Sequence, residues 1–348
     1  HRTPEAEMRW KISCDALILR AAVGAVLAVV TFGGSASAET GKVRVATQFG
    51  LAYLPLIVME HDHLWEQQAD KLGIKIEAEY ARIGGGGALN DALISDSVDM
   101  VAGGTAPMLV LWDRTTTSFK VRALAALNTA PIDILTNKPN VKSLADFGPD
   151  DRIAVPAIRS SLQALVLMAA AERAFGPGQA GRLDSQTVAM QHPDAVATLT
   201  LPNSPIAGYV SSSPYQELLL SKPGIGKVTD SFVAFGEPST QSVIYAKDTF
   251  VKANPKVMEA FYAALRQALA SIAADRGGSI DKYLDVTHEK TDRALIEAIL
   301  ARPDFSFGIE PTGTLKLAQL MKRVGLLKQN PNSWKDFFAE ALHAGQGS

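Results

Sequence analysis

Arg159, Ser160 and Ser161 stand side by side in "VPAIRSSLQAL", between an apolar strand-like lead-in and a long apolar helical pattern. A guanidinium fork, two hydroxyls and the free N–H groups of a helix start are together the components of a site for one carboxylate, sulfonate or phosphate. A purely local reading also fits. Ser160 and Gln163 have the S-x-x-Q spacing of a capping box, which stabilises a helix start by about 1 kcal/mol with no ligand, and Arg159 then points into solvent. What favours the anion is the cation itself, because a guanidinium facing the positive end of a helix dipole carries a penalty unless a negative group lies between them.

The same kind of junction recurs along the chain. Four glycines, Gly84, Gly85, Gly86 and Gly87, follow the strand-like "IKIEAEYARI" and open a helical pattern. No Lys-Ser/Thr follows for a phosphate loop, and the sixth position of a dinucleotide fingerprint falls on Leu89 or Asn90. There remain free N–H groups that no side chain screens from a ligand, with a flexible turn as the bland alternative. In "VAGGTAPM", Gly104 ends a strand, Thr105 is a candidate N-cap and Pro107 falls in the first helical turn. In "GYVSSSPYQEL", Ser211, Ser212 and Ser213 precede Pro214 in the same way. Gln48 and Tyr53 ("QFGLAY") follow the first strand, and Tyr53 offers a ring and a hydroxyl to a ligand or to the core. Asn128, closing "VRALAALN", completes the candidate contacts.

Catalytic candidates are lacking. His61 and His63 do not share a helix face, His192 sits beside Pro193 at a helix start, and His288 lies in a charged helix. No HExxH, no G-x-S-x-G and no Ser/His/Asp grouping is present. No metal or cofactor is called for, and the chain reads as a binding protein rather than an enzyme.

The elements that must position these junctions alternate strand and helix from Lys42 onward, which predicts βαβ units around mostly parallel sheets, an α/β fold. "LPLIVMEHDHLWEQQADKLG" is expected as one helix region. The rhythm breaks at Thr129, Ala130 and Pro131, where "VRALAALN" and "IDILTNK" follow without a helix, and it restarts on a smaller scale after Pro139. Two lobes are expected, one from residues 39–138 and 238–348, the other from residues 139–237. The polar strand ends all fall at carboxyl ends of strands, where open α/β sheets place ligands, and they divide between the lobes. A cleft between lobes that closes by hinge motion on a small molecule follows.

Composition narrows the partners. With 348 residues, 47% hydrophobic, 20% charged and net charge −2, the chain is ordinary globular material without the dense basic patch of a nucleic-acid binder. The first 38 residues read as an upstream extension and a secretory signal: Arg9 and Lys11, then residues 21–30 without a polar side chain, then Ala36, Ser37 and Ala38, with cleavage expected after Ala38. That apolar run is short for a membrane span, so export to the periplasm is expected over anchoring. Cys14, the single cysteine, lies within this leader, which leaves the mature chain without disulfides, thiol chemistry or Cys-ligated zinc.

Taken in order, "VRVAT" leading to "LAYLPLIVM", "DSVDMVAGGTAPML", "KSLADF", "RIAVPAIRSSLQAL", "HPDAVATL" and "FVKANPKVMEAFYAAL" resemble the periplasmic substrate-binding proteins of ABC importers, in the nitrate, sulfonate, taurine and thiamine-precursor group. The resemblance covers essentially the whole mature chain. It implies a two-domain Venus-flytrap (type II) fold, capture of a small solute, and delivery to an inner-membrane permease with a cytoplasmic ATPase, the binding protein acting as a monomer. It also implies ligand contacts at Gln48, Gly104, Thr105, Arg159, Ser160 and Ser161. Two positions depart from the pattern: the family's Gly-Ser pair is Arg159-Ser160, and a glycine in the first helix region is His63. The arginine favours an acidic solute such as a sulfonate or carboxylate. A sensory module, and the fungal thiamine-pyrimidine synthase of similar fold, are the rivals, the latter disfavoured because its cysteine-rich iron motif has no counterpart here.

Overall fold

A computed structural model describes residues 39–348, which form one compact unit; the expected leader, its cleavage point and Cys14 lie outside the described residues. Two sheets organise the chain. The first contains β1 (Lys42–Thr47), β2 (Glu77–Arg82), β3 (Met100–Gly104), β4 (Val121–Thr129), β10 (Thr240–Lys247) and β11 (Ser306–Phe307), in the order β11-β4-β10-β3-β1-β2. The second contains β5 (Asp133–Thr136), β6 (Ile153–Val155), β7 (Thr187–Ala189), β8 (Gly208–Ser211) and β9 (Gly226–Asp230), in the order β7-β6-β8-β5-β9. Each sheet with its covering helices is called a lobe below.

The sheets are mixed rather than mostly parallel. β1 pairs in parallel with β2 and β3, and β6 with β7 and β8, through right-sized helical crossovers. β10 runs antiparallel to β3 and β4, and β5 antiparallel to β8 and β9; these are the strands by which the chain enters each sheet from the other, β5 directly from β4 and β10 after the short helical segment Ser231–Phe235. The first crossing also falls earlier than expected. β5 pairs with β8 and β9, so the chain leaves the first sheet at residues 130–132, ahead of residue 138, and re-enters it after residues 236–239.

The first lobe carries α1 (Leu54–His61), α2 (Leu64–Lys71), α3 (Gly86–Ile94), α4 (Thr105–Thr115), α9 (Asp248–Ala253), α10 (Pro255–Ala274), α11 (Arg276–Thr287), α12 (Arg293–Leu300) and α13 (Thr314–Arg323). The second carries α5 (Leu162–Phe175), α6 (His192–Leu199), α7 (Tyr215–Leu220) and α8 (Ser231–Phe235). The expected first helix region is broken in two at His63, whose φ of 51° is the left-handed conformation that glycine adopts most freely, at the position where the resemblance expects glycine.

Packing explains the rest. α10 begins and ends where its apolar periodicity does, buries Val257, Phe261, Ala264, Leu265 and Ala268 on one face, and lays Phe261 against the buried Trp65 of α2. A single apolar cluster runs through both lobes and includes Leu109 and Leu111 of α4 with Leu162 and Leu165 of α5. No helix among the described residues is long and apolar enough to cross a membrane.

Candidate functional site

The lobes meet around a small cavity of about 20 Å³ at the carboxyl ends of β1, β3 and β8. The first lobe lines it with Gln48, Phe49, Ala52, Tyr53, Gly104 and Gln241; the second lobe supplies Leu162, Gln163, His192 and Ser212. The volume is that of roughly one water-sized group. Four helix starts surround it: Gly86 opens α3, Thr105 opens α4, Leu162 opens α5 and His192 opens α6. Each directs the positive end of a helix dipole toward this region, an arrangement that favours an anion, and no Lys or Arg lines the cavity.

Gln48 ties two of these parts together. Its amide lies 3.0 Å from the Tyr53 hydroxyl, and with the amide oxygen turned toward α3 it accepts from the N–H groups of Gly85 and Gly86 at 3.3 Å each. Burial raises the Tyr53 hydroxyl above its ordinary pKa, so it stays a neutral donor. Close approach requires glycine at 86, where a Cβ would come within 2.6 Å of the Pro107 ring; a Cβ on Gly84 would come within 2.5 Å of Gln191 Oε1 across the cleft and displace that flexible side chain. Gly85 adopts φ 84°.

The expected contacts divide. Gln48, Tyr53 and Gly104 line the cavity. Gly84 stands at its edge against Gln191. Asn128 is buried behind it and acts through a neighbour: its Nδ2 donates to Gln241 Oε1 at 2.9 Å, while Ser242 Oγ donates to its Oδ1 at 2.6 Å, fixing the glutamine that reaches the cavity. Thr105 is not the N-cap of α4, a position that Gly104 takes; its hydroxyl donates to the Thr240 carbonyl at 2.8 Å and so fastens α4 to β10. Ser211 is fully buried, with no partner for its Oγ, and the cavity is lined by Ser212, one residue on.

Arg159 is turned away. Its φ of 59° is left-handed, its guanidinium pairs with Asp184, and it lines a separate open groove of about 810 Å³ with Arg173, Lys316 and Arg323. Ser160 does not line the cavity, and the expected capping box does not form: the cap falls one residue later and is one-sided, since Ala164 has no side chain to return the bond. Ser161 is the N-cap of α5: its Oγ accepts from Ala164 N at 3.1 Å and donates to the Ala157 carbonyl at 2.7 Å.

His192 is the cavity residue that its sequence context conceals. Pro193 makes it a helix opener, and nothing in "QHPDA" reveals that tertiary contacts enclose its ring. Nδ1 is hydrogen-bonded to the Tyr209 hydroxyl, Nε2 lies 3.3 Å from Gln163 Nε2 and 3.5 Å from Ser212 Oγ, and the ring stacks on Tyr215 at 5.4 Å and 12°. Burial pushes its pKa down to about 4, so the imidazole is neutral near pH 7. Such a ring is a weak base toward Ser212, and no carboxylate orients it, so the pair lacks the features of an activated nucleophile. Its chemistry is that of a fixed hydrogen-bonding partner. Among the described residues no group of three or more His, Cys, Asp or Glu is placed to hold a metal ion.

Two mixed sheets, double crossing and a cleft at the strand ends define the periplasmic binding protein fold, and solved structures bear this out. The chain is similar to the alkanesulfonate-binding protein SsuA from Xanthomonas axonopodis pv. citri bound to MOPS, with a TM-score of 0.67, 19% identity, and 84% of this chain and 96% of that chain covered. The aliphatic sulphonate binding protein SsuA from Escherichia coli gives 0.64 at 17% identity, with 87% and 93% covered. The nitrate-binding protein NrtA from Synechocystis PCC 6803 gives 0.68 at 14% identity, with 85% and 84% covered. No protein-family model matches the chain, and no curated protein matches it in sequence.

Proposed function

We propose that this chain is the periplasmic solute-binding component of an ABC importer and that its solute is a small organic or inorganic anion, a sulfonate, carboxylate or nitrate. The observation that carries the reading is the convergence of four helix starts from both lobes on one cavity. The expected guanidinium is replaced by dipoles and neutral donors: Gln48 and Gln241 from the first lobe, Gln163, His192 and Ser212 from the second. Because the solute is gripped from both sides, its binding energy favours the closed arrangement, and residues 130–132 and 236–239 are the hinge segments that absorb the motion. A cavity of about 20 Å³ holds no alkanesulfonate, so the lobes part to admit a solute of that size.

The likeness to sulfonate- and nitrate-binding proteins supports the same class of solute, and with it the partners: a membrane permease with a cytoplasmic ATPase. Export by the N-terminal leader, action as a monomer and the absence of catalysis belong to the same proposal.

The test is calorimetry with nitrate, short alkanesulfonates, MOPS, and aliphatic and aromatic carboxylates. One of these classes is expected to bind at micromolar strength, about −8 kcal/mol, with neutral isosteres at least about tenfold weaker. Equal binding of a neutral isostere, or failure of every anion, overturns the reading.

A further inference from the structure

The ring that His192 presents to the cavity is not held by its own lobe alone. Tyr215, stacked on it, donates its hydroxyl to Glu289 Oε1 at 2.8 Å, and Glu289 belongs to the other lobe. The carboxylate is prepared for this inside its own lobe. α11 ends at Thr287, His288 follows in the left-handed conformation at φ 54°, Glu289 N donates to Thr287 Oγ1 at 3.3 Å, and the fully buried Tyr283 donates its hydroxyl to Glu289 Oε2 at 2.9 Å. One carboxylate thus accepts two phenolic hydrogen bonds, one from each lobe. Charge-assisted bonds of this kind are about twice as strong as neutral ones.

A second grip lies two residues further along α7. Arg302, held in a bidentate pair by Asp304, donates across the cleft to Glu217 Oε1 at 2.5 Å. On the other flank of the same turn, Leu51 N donates to the Ser213 carbonyl at 3.2 Å. The first turn of α7 is therefore held by the first lobe at three points, and the middle one continues through Tyr215 to His192.

We infer that Glu289 is the positioning residue of the closed cleft: by holding Tyr215 it fixes the stacked His192 ring at the cavity, a contact that exists only while the lobes are together. The consequence for solute affinity rests on the proposed function; the latch itself does not. Both tyrosines stay protonated well above neutral pH, because burial and the Glu289 carboxylate raise them, so the latch does not open by their ionisation.

Hydrogen exchange read by mass spectrometry on the full chain, with no solute added, tests the latch. Tyr215→Phe keeps the stacked ring and deletes only the hydroxyl; Glu289→Ala deletes the acceptor. In both, exchange of the Leu51 amide is expected to quicken about tenfold, the scale of one lost bond to a charged group, while amides in β8 and β10 stay protected; the double variant should be no faster than Glu289→Ala. Unchanged exchange at Leu51, or quickening throughout β8 and β10, overturns the inference. A second arm measures dissociation of nitrate, the smallest of these anions, from the same variants, expected to be about tenfold faster with association unchanged. If MOPS, nitrate and carboxylates all fail to bind the unaltered chain, the solute reading falls and the exchange result alone decides the latch.

Discussion

The mouths of α5 and α6 invite opposite conclusions in sequence and in space. At α5, Arg159-Ser160-Ser161 has the residue types of an anion site; at α6, Gln191-His192-Pro193 has the look of an ordinary helix opening. In the folded chain the α5 mouth reaches the cavity with Leu162 and Gln163, while Arg159 faces an open groove and pairs with Asp184. The α6 mouth delivers the enclosed imidazole, gripped by Tyr209 and Tyr215. Charge close to a helix start is weak evidence of a site, because a flexible cation is free to find a carboxylate outside the cleft. A ring enclosed by tertiary contacts has no such freedom.

The largest expected effect comes from His192→Phe, which keeps the aromatic stack and removes both ring nitrogens. Solute affinity should fall at least about tenfold in calorimetry, the Tyr209 hydroxyl losing its partner as well. A pH signature accompanies it. His192 titrates at about 4 in the folded chain against 6.5 in the unfolded one, so the unfolded chain takes up this proton first as the pH falls. Its contribution to stability is complete above about pH 6.5 and is lost on the way down to about pH 4. Substitution abolishes that loss, so the destabilisation caused by His192→Phe, measured by urea unfolding, should shrink from pH 7 to pH 4 by on the order of 3 kcal/mol. A pH-independent difference would mean that the ring is not held neutral.

A smaller effect separates the two serines at α5. Ser161→Ala removes the cap on Ala164 N and the bond to the Ala157 carbonyl and should cost about 1 to 2 kcal/mol in urea unfolding. Ser160→Ala should stay within about 0.5 kcal/mol, since the cap belongs to its neighbour. Equal costs would restore the box at Ser160.

The smallest effect is expected at the residue that looks most functional. Arg159→Ala removes a half-exposed ion pair and no cavity contact, so both stability and solute affinity should change by less than about 0.5 kcal/mol and twofold respectively. A tenfold loss of affinity in calorimetry would return Arg159 to the cleft and reverse the comparison.

Periodicity and strand-end chemistry made much of this legible in the chain. The α/β alternation, the residues of α10, the break before β5 and the positions of Gln48, Tyr53 and Gly104 follow from local pattern, because a buried face or a ligand-facing strand end imposes its residue types on the sequence. Fixing the lobe boundary was harder. The strand pairing of β5 is a long-range choice, and four apolar residues fit either sheet.

Which helix start presents which side chain was decided only by the tertiary structure. Local sequence places His192 and Arg159 alike at a helix mouth; it does not say that Asp184 lies near one or that Tyr209, Tyr215 and, through Tyr215, Glu289 surround the other. The physical reason is range. Capping and propensity act within a turn, whereas desolvation of a ring and a hydrogen bond between lobes depend on groups that the sequence holds 17 and 74 residues apart and that only the packed fold brings together.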